Sequence, residues 1–388
     1  MSDLTQTQAL LADLVAFDTV SSASNLAMID ALANRLEDAG ARVEVMRDPT
    51  GQKANLFATL GPDAPGGIVL SGHTDVVPVT DQIWATDPFA MIERDGRLYG
   101  RGTCDMKGFI AACLTLAPAF ASHVRTRPLH FAFTYDEEIG CLGGQALVAA
   151  LSQREHLPSV AIIGEPTSMR IIEGHKGCCE YTTRFTGRAG HGSRPERGVN
   201  AVEYAVRYVA RLLDLRADLI ARAPAESPFD PPHTTINPGS LHGGMAHNVI
   251  ADHATVEWEM RPVRAADGDY VRDTMHRYVR DTLLPEMRAV WLDAAIETEV
   301  MGEVAGLEPA TGNEARRIVA ELTGANDADV VAFSTEAGLF QALGMDVVVC
   351  GPGSIEQAHK PDEFLAIDQL AACLDMLRGL AQRLEQAE

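Results

Sequence analysis

The chain has 388 residues, with 32 Lys and Arg against 54 Asp and Glu, giving a formal net charge of -22. That length suggests two domains, and 46% hydrophobic with 22% charged residues is the balance of a folded globular protein rather than a disordered or fibrous one. The acidic excess excludes nucleic acid and anionic membrane as main partners, because both select positive surface.

In chain order, the apolar spacing predicts helices from Gln6 to Ala16 and from Asn25 to Ala39, the second closing at Gly40. Extended stretches follow at Arg42–Met46, Asn55–Leu60 and Ile68–Ser71, then a small-residue helix over Gly108–Leu116 that starts just after Asp105. Leu129–Thr134 and Val160–Ile163 are short continuous apolar runs of the buried-strand type. From Cys179 the pattern changes. Cys179–Thr186 reads as a strand, Val199–Ala221 as a long helix with apolar Val202, Val206, Val209 and Leu213, and His233–Leu241 as a strand. Ala254, Val256, Trp258 and Met260 alternate with polar residues, a half-buried antiparallel strand. A helix over Tyr270–Arg288, bent or broken at Pro285, and a strand over Ala294–Met301 complete a β-α-β-β-α-β order, which is ferredoxin-like.

The expected fold class is therefore α/β. A mostly parallel sheet with helices on both faces is built from 1–178 and 302–388, with the βαββαβ module of 179–301 inserted in it. No run approaches the roughly 18–20 apolar residues that cross a bilayer. The opening M-S-D-L-T-Q-T-Q lacks the basic and apolar regions of a secretory signal. Seven cysteines without a C-x-x-C pair read as reduced thiols, so a cytoplasmic location is expected.

The sequence contains no G-x-x-x-x-G-K-[ST], H-E-x-x-H or G-x-S-x-G. It does place acids and histidines at the ends of successive strands: His73-Thr74-Asp75 after Ile68–Gly72, Asp105 after Gly100–Cys104, Asp136-Glu137-Glu138 after Phe131–Tyr135, and Glu165 after Ala161–Gly164. Open α/β sheets gather their sites at strand carboxyl ends. Singly each has a plain reading: Asp105 as a helix N-cap, His73 as a hydrogen-bonded core histidine, and the three acids as a solvated loop. A bound cation explains them together, and imidazole with carboxylate suits zinc. Asp75 is two residues from His73 and faces the same way, so it can take the second ring N–H. Glu137 and Glu138 point to opposite sides in extended chain, so one is free to act as a base while the other ligates. His359, beyond the apolar run Val347–Val349, is a further candidate ligand.

S-G-H-T-D-V-V-P-V, G-R-G-T-C-D-M-K-G, T-Y-D-E-E-I-G, G-E-P-T and A-H-K-P-D-E-F, in this order across the chain, resemble the co-catalytic dizinc aminoacylase and peptidase family. That family includes acetylornithine deacetylases, succinyl-diaminopimelate desuccinylases and carboxypeptidase G. E-P-T-S-M-R, E-G-H-K-G-C-C-E-Y, G-V-N-A-V-E-Y-A-V and S-T-E-A-G-L-F resemble its acetylornithine deacetylase branch. The resemblance implies two Zn2+ per subunit, with Co2+ as a substitute. One ion falls to His73 and Glu165, the other to Glu138 and His359, and Asp105 bridges them. It also implies Glu137 as general acid/base, Asp75 as a catalytic positioning group and a cis peptide after Asp105. The inserted module becomes a lid through which the chain dimerises. His191, in G-H-G-S, would steady the scissile carbonyl of the partner's substrate, and Asn248 and Arg261 would hold the substrate carboxylate. The expected reaction is removal of an acetyl group from an N-acyl amino acid, acetylornithine foremost. A desuccinylase or broader deacylase is the alternative, and a metal-dependent binding protein the non-enzymatic one.

Overall fold

A computed structural model describes residues 2–386, which form two compact units. The first holds the chain up to Gly174, with Pro309–Val330 and everything from Thr335 onward; the second holds His175–Glu308 and Val331–Ser334.

The first unit is built on an eight-stranded sheet. Its strand order is Arg42–Arg47, Ala54–Leu60, Leu129–Thr134, Ile68–His73, Val160–Pro166, Asp346–Gly351, Ile171–His175 and Ala328–Val331. The middle four run parallel. Ile68–His73, Leu129–Thr134 and Val160–Pro166 are buried at every residue, which is why they read as continuous apolar runs instead of alternating ones. Helix Gly108–His123 lies in the core, against helices Asp3–Val15 and Ile367–Gln386. Ser2 caps the first of these, its hydroxyl accepting from the Thr5 N–H.

The stretch Thr103–His123 corrects the expectation that no run is of membrane length. It is long and apolar enough to cross one by length and composition, although 78% of it is buried inside the protein. Asp105 and Lys107 at its start break the run to the eye, yet most of the sixteen residues after them are apolar, and those from Gly108 to Ala117 are all buried in the core.

The second unit is a four-stranded antiparallel sheet in the order Thr235–Gly243, His253–Arg261, Cys178–Thr186, Ala295–Val304. With helices Ala201–Ala221 and Ala265–Tyr278 in their sequence positions it has the expected βαββαβ arrangement. Strand His253–Arg261 buries Ala254, Val256, Trp258 and Met260 as the alternation requires. The predicted helix over Tyr270–Arg288 is interrupted by a π turn at Val279–Leu283, and Pro285 opens the short helix Leu284–Val290 that follows. In Ala201–Ala221 the covered stripe is Ala205, Tyr208, Leu212, Leu215 and Leu219. Of the stripe visible in the sequence, Val206 and Leu213 face outward, 51% and 38% exposed. This helix has two apolar stripes, and the sheet covers only one.

Candidate metal centre

The parallel register decides which side chains meet. His73 pairs with Thr134, so the end of Ile68–His73 lies beside the turn that carries Asp136, Glu137 and Glu138. On the other flank Ser71 pairs with Ile163, which brings Glu165 alongside. The ring of Phe109 occupies the space a Cβ would need at Gly164, so only glycine lets that helix pack beneath Glu165.

Asp105 arrives differently. It does not end a strand of the large sheet but sits in a π turn, Thr103–Lys107, after the short strand Arg97–Tyr99. That strand pairs with Phe364–Ala366, a few residues beyond His359. The Asp105–Met106 peptide is cis.

All six groups converge in this unit. His73 Nε2 is 2.9 Å from Asp105 Oδ1 and 3.6 Å from Glu165 Oε1. His359 Nε2 is 3.0 Å from Glu138 Oε2 and 3.5 Å from Asp105 Oδ2. Asp105 thus presents one oxygen to each imidazole. His73, Asp105 and Glu138 offer ligand atoms within 4.8 Å of one another, and so do His73, Glu137 and Glu165. Glu137 and Glu138 therefore both turn inward. The extended backbone expected there is broken by Asp136, which is left-handed at φ 52 and paired to Lys53.

The electrostatics are those of a site short of positive charge. Burial, then the Asp105 charge, raises the carboxyls of Glu165, well above the usual range, and Glu138. Burial also pushes Glu137 well up, with Glu138 and Asp105 adding to it and His73 opposing. His359 is raised to about 10 by its hydrogen bonds to Asp105 and Glu138. Burial of His73 is outweighed by the Glu165 charge and the Asp105 bond, and its pKa rises well above the ordinary value. Protons on imidazoles and carboxyls balance the charge here, and a divalent cation would do the same. Glu165 Oε1 is buried and has no hydrogen-bond partner among the described residues. A buried carboxylate oxygen without a donor is costly unless a ligand meets it. The residues fit a metal.

Asp75 holds this site in a way the sequence did not suggest. The His73 Nδ1 lies 2.9 Å from the backbone carbonyl of Asp75, nearer than the 3.6 Å to its carboxylate. The carboxylate instead accepts from Ser21 Oγ at 2.7 Å and from the backbone N–H groups of Glu137 at 3.0 Å and Glu138 at 3.4 Å. One further acid was not singled out. Glu336, buried below the site, accepts from Ser71 Oγ at 2.6 Å and Thr134 Oγ1 at 2.9 Å, tying two ligand-bearing strands together. Its only sequence signal is a lone acid in S-T-E-A-G, which has no spacing to a ligand.

The second unit carries the remaining candidates. His191 lies in a two-residue strand paired with Val249, and the Gly192 N–H donates to the Asn248 carbonyl at 2.8 Å, so His191 and Asn248 are neighbours. Both are exposed. Arg261 stands at the far end of His253–Arg261, 3.1 Å from Glu259. Eight residue steps separate the two ends of that strand, about 26 Å at the usual rise. Asn248 lies outside that strand, in the segment that precedes its other end.

Residues 69–383 match the family described as peptidase family M20/M25/M40. The chain belongs to that family. The acetylornithine deacetylase of Proteus mirabilis (strain HI4320) is 37% identical over 375 residues, covering 96% of this chain and 94% of its own. An M20 family metallo-carboxypeptidase from Sulfolobus solfataricus superposes with a TM-score of 0.74 at 15% identity, over 98% of this chain and 100% of that one. A dinuclear metal binding peptidase of the M20 family from Bacillus subtilis superposes with a TM-score of 0.66 at 15% identity, over 100% and 99%. At those identities the structural likeness is one of fold, and it covers both units of the chain.

Proposed function

We propose that the chain is a zinc-dependent amidohydrolase that removes the acetyl group from N2-acetyl-L-ornithine, giving L-ornithine and acetate, a step of arginine biosynthesis in the cytoplasm. The observation that carries the substrate is the end-to-end similarity to an acetylornithine deacetylase. The chemistry rests on the cluster of carboxylates and imidazoles at the strand ends.

In this reading His73 and Glu165 would hold one zinc, Glu138 and His359 would hold a second, and Asp105 would serve both. Two imidazoles among carboxylates suit zinc, and Co2+ as a substitute, better than a hard alkaline-earth ion. When bound, the metals polarise the amide carbonyl and acidify a water. Glu137 would take the proton from the attacking water as the carbon–oxygen bond forms, and return it to the amine nitrogen as the carbon–nitrogen bond breaks. Its raised pKa suits both halves of that task. Asp75 keeps Glu137 and Glu138 in place through their backbone N–H groups.

The second unit, close to residues 179–301, is read as a lid and dimerisation domain. Val206, Leu213 and Ile220 form an uncovered apolar stripe on its long helix, and Val300 and Met301 are more than half exposed on its edge strand. Both features suit a partner of the same kind. Dimerisation would let residues from the two ends of this unit act on one substrate. Arg261 of one subunit anchors the α-carboxylate, while His191 and Asn248 of the partner subunit come together to the carbonyl end. His191 Nδ1 is engaged by Ser193 Oγ at 2.8 Å, so Nε2 is the nitrogen that would meet a ligand. It would donate to the carbonyl oxygen as charge develops there.

An assay of acetylornithine, succinyl-diaminopimelate and acetylmethionine with zinc supplied tests the substrate. Acetylornithine is expected to have the highest kcat/KM. Were it the poorest of the three, a desuccinylase or broader deacylase would replace this reading.

A further inference from the structure

Next to the Asp105 turn lies a buried charge pair. Arg101 and Glu363 are each 1% exposed, and Arg101 Nη1 donates to Glu363 Oε2 at 2.7 Å. The same carboxylate accepts three backbone N–H groups: Gly102 at 3.0 Å on Oε2, and Cys104 at 2.8 Å and Asp105 at 3.1 Å on Oε1. These are the residues that lead into the Asp105 turn. Arg101 reaches the other way as well, from Nη1 to the Lys360 carbonyl at 3.3 Å and from Nη2 to Gln82 Oε1 at 2.7 Å. Gln82 Nε2 in turn donates to the carbonyl of His359 at 3.0 Å. Trp84 lies under the guanidinium at 5.0 Å and donates to Gln82 Oε1 at 3.2 Å.

A buried ion pair of this kind adds little net stability, since desolvation offsets its attraction. Arg101 also leaves Nε without a partner among the described residues. What the contacts do achieve is spatial. Four donors on one carboxylate fix the backbone before Asp105, and the two ends of one guanidinium fix the backbone of His359 and Lys360.

We propose that Glu363, Arg101 and Gln82 are positioning residues that set Asp105 and His359 at a fixed separation, so that the second metal of the reading above would find two of its ligands already placed. Glu363 acts on the Asp105 side, Gln82 on the His359 side, and Arg101 joins them. The proposal rests on the two-metal reading for its purpose, but the bracket itself is a property of the metal-free chain. Outer contacts of this type typically change metal affinity by about 10–100-fold.

Two measurements on the full chain test it. In the metal-free protein, hydrogen–deuterium exchange of the 102–105 segment should quicken about tenfold or more in Glu363→Gln. An unchanged rate would overturn the proposal. In a zinc titration, Gln82→Ala should weaken one of two sites about tenfold and leave the other within about threefold. Gln82 is only half-buried, so this variant decides the matter if Glu363→Gln does not fold. Two unaltered sites would overturn the proposal, and so would equal weakening of both, which is general loosening. If the unmodified protein takes up fewer than two zinc ions, the two-metal reading falls, and the exchange measurement still decides whether the bracket exists.

Discussion

In the first unit the candidate residues touch one another and all but His359 are largely buried; in the second His191 and Asn248 are exposed, Arg261 is half-buried, and they touch little beyond their own segments. His73, Asp105, Glu138 and Glu165 lose most of their water on folding, and each obtains a partner from the same small cluster. His191 and Asn248 keep theirs, and Arg261, half-buried, spends part of its charge on Glu259. A buried site states its chemistry through its own contacts, because unpaired charge there is too costly to be accidental. An exposed site does so only when a ligand or another chain arrives.

The largest effect expected from this contrast concerns a residue that is buried in the cluster but is read as a base rather than a ligand. Glu137→Gln should lower kcat by roughly 10²–10⁴-fold with zinc content unchanged by metal analysis. Activity above a tenth of the original would remove Glu137 from that role. Arg261→Ala, on the exposed side, should raise KM by about 10–100-fold with a smaller change in kcat, as loss of one charge-assisted bond implies. An unaltered KM would mean that the carboxylate is held elsewhere.

Acid should act on the buried unit first. The carboxyls of Glu138 and Glu165 are raised, so protons compete for them at higher pH than for ordinary carboxylates. Zinc affinity measured calorimetrically should therefore fall by about tenfold or more from about pH 7.5 to about pH 5.5. A pH-independent affinity would contradict the assigned ligands. The smallest effects separate the two stripes of helix Ala201–Ala221. Leu212→Ala should cost about 2–5 kcal/mol in urea unfolding, and its outward neighbour Leu213→Ala about 0.5 kcal/mol or less. The reverse order would invert the packing of that helix.

The same contrast governs what could be read in the sequence. Strands such as Leu129–Thr134 are legible because burial on both faces leaves an unbroken apolar run, and the acids that follow stand out against it. The cluster of candidate metal ligands is legible for the same reason. Which stripe of Ala201–Ala221 is covered is not legible, since periodicity marks both and only the sheet chooses. The inward turn of both Glu137 and Glu138 depends on the left-handed Asp136, and nothing in D-E-E announces it. Glu336 and Glu363 were missed because their partners lie more than two hundred residues away.

The most direct measurement is zinc reconstitution of the metal-stripped protein, followed by acetate release from acetylornithine. Hydrolysis should be absent without metal and should rise with added zinc until two equivalents per chain are bound. Full hydrolysis by the stripped protein, or none after two equivalents are bound, would contradict the assignment of the strand-end cluster as the catalytic centre.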